Sequence, residues 1–267
     1  MNNYFEINGQ LEAKQEKSLI LIGVIFLIGT WSLVTALFPM PSLLPSPWKV
    51  LLSFGELHFE DALIRNLCYS IKLNLLGYLE AVLISFPIGF AIGLFPIFHG
   101  LFSKPIDALR FVPLTAVVGL FIVWFGIEDA MKVHFLAFGI LVYLLPVVVQ
   151  RISEVLPVYQ QTVKTLGANK WQMIKNVFIP DVISKAFVDI RVLVAISWTY
   201  IIVAELVNKS GGVGAIAYTA ARQSRIDKVF AILLVIILVG FLQDLLLKKM
   251  EQIIFPWKFM GDTKKKK

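Results

Sequence analysis

The sequence predicts an all-α membrane protein with about six transmembrane helices. Composition is the first sign: 58% of its 267 residues are hydrophobic and only 16% are charged. Soluble domains carry roughly a quarter charged residues. Mean hydropathy is the second, at +0.78. The third is spacing. Apolar runs recur near the length of about twenty residues that ~30 Å of hydrocarbon requires, with short polar stretches between them. There is no solenoid-type repeat and no low-complexity domain, so one membrane domain accounts for the chain.

Residues 1–18 form a polar arm containing Lys14 and Lys17. Leu19 to Phe38 is free of charge and makes the first span. It is too long for a signal-peptide core, and no small-x-small site follows it. Pro39, Pro41, Pro45 and Pro47 forbid helix and predict an extended segment. Trp48 to Asn66 fits a short helix on the outer surface. The second span runs from about Tyr69 to Phe98. Pro87, Gly89 and Gly93 in its second half predict a kink or a close helix contact. His99 to Arg110 reads as a loop, Phe111 to Ile127 as the third span, and Glu128, Asp129 and Lys132 as a solvated turn. Val133 to Gln150 is the fourth span. Val192 to Ala204 is short for a fifth and needs Glu205 and its neighbours to enter the membrane. Val229 to Gln243, extended by Leu245 to Leu247, is the sixth. The transmembrane domain is therefore 19–250, followed by a basic tail, 251–267, whose lysines are solvated or touch anionic headgroups.

The formal net charge of +7 fits basic cytoplasmic loops better than nucleic-acid binding, for which no motif is present. With the N-terminus inside and six spans, seventeen lysines and arginines fall inside and eight outside. That bias puts both termini, and the long polar segment Arg151 to Arg191, in the cytoplasm. The single cysteine, Cys68, leaves the redox compartment open.

Within that polar segment, Gln161 to Pro180 is amphipathic. Val163 and Leu166, and then Trp171, Ile174 and Val177, recur at helical spacing. Gly167 suits a left-handed C-cap. Asn169 suits an N-cap, with Gln172 closing a capping box, and Pro180 ends the second helix. The prediction is helix, sharp turn, short helix.

The spacing from Gly167 through nine residues to Val177, then Ile179-Pro180, resembles the EAA loop of binding-protein-dependent ABC importer permeases. Gln161, Thr162 and Val163 stand where that family has Glu-Ala-Ala, a departure from its pattern. Phe111-Val112-Pro113 with Trp124-Phe125-Gly126 is similar to the nitrate, sulfonate and taurine branch. So are Thr165 to Trp171, Ala204-Glu205-Leu206 and Ser210 to Gly214. The resemblance implies a type I importer fold whose loop 159–181 carries a cytoplasmic coupling helix. Gln161, Thr162, Val163, Leu166, Gly167, Trp171, Ile174 and Pro180 would meet the ATPase. It further implies a multi-pass protein of the inner (plasma) membrane. Its partners would be ABC ATPase subunits, an extracytoplasmic solute-binding protein, a second permease copy in a homodimer, and the lipid bilayer. The solute would be a small anion such as nitrate, a sulfonate, taurine or bicarbonate.

Ionisable groups inside spans cost several kcal/mol unless they face protein or water. Glu80 either lines a translocation path or sits at the interface with a structural partner. The same choice holds for Glu205, where the resemblance favours the path. Ser197, Trp198 and Thr199 share a span with Glu205 and either line that path or pack within the bundle.

No glycine is followed by lysine, so there is no Walker A loop, and ATP hydrolysis is expected on a separate subunit. His58, His99 and His134 lack metal-site spacing, so neither metal nor cofactor is expected. Gly211, Gly212 and Gly214 alone are a weak signal. Two other classes compete: a secondary transporter or channel, for which Glu80 is the best coupling residue, and an intramembrane enzyme, which lacks a nucleophile–base set.

Overall fold

The computed structural model describes residues 11–38, 43–208 and 210–259. The described residues are helical throughout, with no strand among them. Residues 1–10 of the N-terminal arm, Pro39 and Pro41 of the extended segment, and the lysine tail from 264 lie outside the described residues. The chain divides into two compact units: 1–62 with 217–233, and 63–216 with 234–267.

In the first unit, α1 (Ala13–Leu37) is apolar on every side and buries none of its span. A helix of that kind belongs in lipid. Its Trp31 indole donates to the Pro45 carbonyl (3.0 Å) and lies 5.8 Å from the Phe230 ring. Helix α2 (Pro47–Phe59) starts with Ser46 as N-cap and Pro47 in the first turn. Charges around residue 225 gather beside it. Arg225 pairs with Glu56 (2.7 Å) and Asp227 (2.9 Å), and Lys228 with Asp61 (2.7 Å). The Arg225 guanidinium holds the Glu56 carboxyl below the usual carboxylate range.

The second unit begins with α3 (Leu63–Leu94), continuous through Pro87. Then come α4 (Pro96–Leu109), α5 (Leu114–Phe125) and α6 (Asp129–Ser153). After these are α7 (Pro157–Thr165), α8 (Lys170–Met173), a π-helical turn (Ile174–Phe178) and α9 (Ile179–Asn208). Helices α10 (Val213–Arg222) and α11 (Ile226–Ile254) follow, and both cross the boundary between units in sequence.

Helix α6 is the axis of this unit, packed against α3 on one side and α9 on the other. Between helices in lipid there is little hydrophobic gain, because acyl chains are as apolar as leucine; close fit decides. Gly77, Gly89 and Gly93 supply that fit on α3. A methyl at each would meet Leu136, Val148 or Ile152 of α6 at 2.9 Å or less. The close contact expected of Gly89 and Gly93 is therefore present.

The spans differ from the sequence reading at α4, α5 and α9. His99 to Arg110 is helix, not loop: α4 is amphipathic, and Pro96 sits in its first turn, where no N–H is needed. Helix α5 has 12 residues, about 18 Å of rise, shorter than the span Phe111 to Ile127 read from the sequence. It is bent from α4 by 105°. Helix α9 has 30 residues where the apolar run suggested a marginal span. The charges that broke the run are paired. Arg151 of α6 grips Asp189 through two bonds of 2.8 Å, and Arg191 binds Asp244 (2.9 Å) and Glu251 (3.0 Å) of α11. By length and composition there are five candidate spans among the described residues, or six if α4 and α5 count as one.

Candidate functional site

The loop between α6 and α9 closes as its local sequence dictates. Gly167 takes φ +80°, its N–H bonds the Lys164 carbonyl (2.9 Å), and Ala168 N–H bonds the Val163 carbonyl (3.0 Å). Those two bonds are a complete Schellman motif. Asn169 then caps α8: its Oδ1 accepts from Gln172 N–H (2.8 Å), and Gln172 Oε1 accepts from Asn169 N–H (2.9 Å).

Pro180 does not stop the second helix. Ile179 N–H reaches back five residues to the Ile174 carbonyl, which widens the turn. Pro180, with no N–H of its own, is accommodated as the second residue of α9. The short helix thus runs straight into a membrane helix.

Leu166 and Trp171 stand at the tip, 80% and 66% exposed. Gln161 is also exposed, and Ile174 is half-buried. Thr162, Val163, Val177 and Pro180 line a groove of about 370 Å³ with Tyr159 and Trp257. Trp257 lies in the turn after α11, which Lys258 ties to Glu251 and to the Ser184 carbonyl (both 2.7 Å).

The residues expected along a path fall in three settings. Glu80 accepts from or donates to His134 Nδ1 (2.8 and 3.0 Å), according to the imidazole tautomer, at a cavity of about 330 Å³. Phe121, Trp124 and Phe125 of α5 supply its aromatic wall. Ser197 and Trp198 are buried in links between helices. Ser197 Oγ exchanges hydrogen bonds with the Asn74 amide (3.1 and 3.2 Å), and the Trp198 indole donates to Gln243 (2.6 Å). Thr199 is exposed.

Glu205 is fully buried. Its carboxyl takes the Ser70 hydroxyl (2.5 Å) and the Gly214 N–H (2.8 Å). Asn66 Oδ1 takes the Gly212 N–H (2.8 Å), and Ser70 Oγ takes that of Val213 (3.0 Å). The glycine turn 211–214 is therefore a cradle for Glu205. Gly212 has φ +99°, and a methyl there would lie inside the carboxyl group.

Beside this clamp stands a second polar group that sequence reasoning missed. Lys132 is completely buried rather than in a solvated turn. Its ammonium donates to Tyr69 Oη (3.0 Å) and Ser210 Oγ (2.9 Å), and Tyr69 donates to Asp129. The available signal was a lysine opening an apolar run at the same depth as Glu205. No group of three or more His, Cys, Asp or Glu among the described residues could hold a metal.

The all-helical fold is shared with a known protein structure. The family model of the binding-protein-dependent transport system inner membrane component matches residues 84–254. The taurine transport system permease protein TauC of Escherichia coli (strain K12) is 29% identical over 85% of this chain and 84% of its own. SsuC of Bacillus subtilis (strain 168), described as an aliphatic sulfonates transport permease, is 30% identical over 91% and 87%. A solved structure described as an amino acid ABC transporter with histidines shares the fold. Its TM-score is 0.58, with 19% identity, over 75% of this chain and 95% of that one. The chain belongs to the family of binding-protein-dependent transport system inner membrane components, and is a multi-pass inner-membrane permease subunit of an ABC importer.

Proposed function

We propose that this subunit forms half of a translocation path for a small organic or inorganic anion. A second copy completes the path, and both termini lie in the cytoplasm. The solute class rests on relatives described as taurine and aliphatic sulfonate permeases.

The tip of the loop 159–181 is the coupling element. One observation carries this assignment: a capped turn leaves Leu166 and Trp171 largely uncovered by the described residues, at the end of a helix that continues into a candidate span. An exposed Trp and Leu on a fixed turn suit the apolar groove of another protein. ATP binding draws two ATPase subunits together, the capped turns follow, and α9 carries the motion inward. Glu80, His134 and the aromatic wall of α5 are the inner lining that a passing solute meets.

The test is reconstitution of the permease with its ATPase and solute-binding protein. Taurine, alkanesulfonates, nitrate and bicarbonate are offered in turn, and solute-stimulated ATP hydrolysis is read. Trp171→Ala is expected to lose ATPase pull-down while inserting normally. Intact pull-down and stimulated hydrolysis in that variant would remove the coupling role. Uptake by the purified chain alone, driven by an ion gradient, would favour a secondary transporter.

A further inference from the structure

Helix α4 has two faces. Ile97, Phe98, Leu101 and Phe102 form one, all exposed; His99, Ser103, Asp107 and Arg110 recur on the other at helical spacing. A helix of this kind, turned 105° from the helix that follows, suits the plane of the membrane interface. Two cavities flank α4, the first against α6 and the second against α3 and α6. The first, about 420 Å³, is polar and basic, lined by His99, Ser103, Lys104, Asp107, Arg110 and Gln150. The second, about 360 Å³, is wholly apolar, lined by Ile88, Ile92, Phe98, Phe102 and Leu145. They share Ile106 as a common wall.

We propose that these joined cavities bind one anionic phospholipid, its phosphate beside Lys104, Arg110 and His99 and an acyl chain along Phe98 and Phe102. Charge and polarity both point to an amphiphile. Asp107 is the one acid in the basic cavity, and its pair with Arg110 (2.8 Å) is exposed on both sides. Exposed pairs of this sort hold weakly, so a phosphate can recruit the guanidinium. Glu154, next along α6, is already taken by Arg151 (2.7 Å), which keeps its carboxyl below the usual range. A free anion would leave the apolar groove bare. A second permease copy would have to bury Lys104 in a cavity whose one acid already pairs with Arg110. On the arrangement with both termini inside, the site faces the cytoplasmic leaflet.

Native mass spectrometry of the purified full chain in detergent tests this, with phosphatidylglycerol and phosphatidylcholine added in turn. Phosphatidylglycerol should be retained and phosphatidylcholine should not. The double variant Lys104→Gln/Arg110→Gln should retain it about tenfold less, as expected on removing two cations from an anionic surface. Its lipid-free melting temperature should be that of wild type. Lys248→Gln/Lys249→Gln, the same charge change on exposed positions of α11, should have little effect. Equal retention in both double variants, or an equal loss in both, would overturn the site. Displacement of the lipid by millimolar inorganic phosphate would make it a free-anion site instead. A disulfide between two copies of Phe102→Cys in native membranes would show that the second permease copy covers this face.

Discussion

Gly212→Ala isolates the clamp around Glu205. The new methyl would overlap the Glu205 carboxyl group, and φ +99° is a conformation that alanine resists. The carboxyl must swing away, leaving the Gly214 N–H in a buried site without its acceptor, while the Ser70 hydroxyl keeps the Asn66 carbonyl (3.2 Å). An unsatisfied buried donor costs ~1–3 kcal/mol. Backbone strain adds about 1 kcal/mol. Temperature-resolved size-exclusion chromatography should show melting at least ~5 °C below wild type. Gly167→Ala is the control: φ is +80° but nothing lies within 4 Å, so backbone strain is the whole cost. In a Glu205→Ala background, Gly212→Ala should also fall to the backbone cost, giving a coupling of ~1–3 kcal/mol in the double-mutant cycle. If Gly212→Ala melts with wild type, or the two substitutions are additive, Glu205 is not held by this turn.

Gly167→Val should insert normally yet bind its ATPase at least ~tenfold more weakly, because strain of 1.4 kcal/mol at the turn is a decade in affinity; intact pull-down and hydrolysis would refute this. Arg191→Lys loses the forked contact to Asp244 and Glu251, and should cost ~1–2 kcal/mol in thermal unfolding; an unchanged melt would make the network ornamental. Glu205→Gln should assemble but transport differently, and unchanged uptake in proteoliposomes would leave the residue a structural clamp alone. Cysteines placed at Lys170 and Gln223 should label from inside and outside respectively, and the reverse would invert the topology.

What was legible in the sequence was local. The cap at Gly167 and the box from Asn169 to Gln172 involve neighbours within five residues, so spacing alone disclosed them. Spans were legible wherever apolar residues ran unbroken. They were misjudged where charges intervened, because Asp189 and Arg191 find partners 38 and 53 residues away. The role of the glycines after Glu205 was hidden for a similar reason: its other partner, Ser70, lies 135 residues away on α3. Helix α4 reads as a loop because its two prolines and three ionisable residues resemble a turn until its two faces are seen.

Residues 170–207 make one span-length helical rod of 38 residues. From Trp171 to Glu205 it measures roughly 50 Å at helical rise. One end is pinned to Ser70 and to the turn at Gly214; the other carries the exposed tryptophan. That is the geometry of a lever with a fixed fulcrum. A tilt of ~5° about the Glu205 pin moves the tryptophan tip by about 4 Å over such a length. The π-helical turn, where a backbone bond reaches back to the fifth residue, is a joint in the regular bonding of the arm. The stiffness of that joint would set how much of a push at Trp171 becomes rotation of the membrane helix, and how much is absorbed on the way.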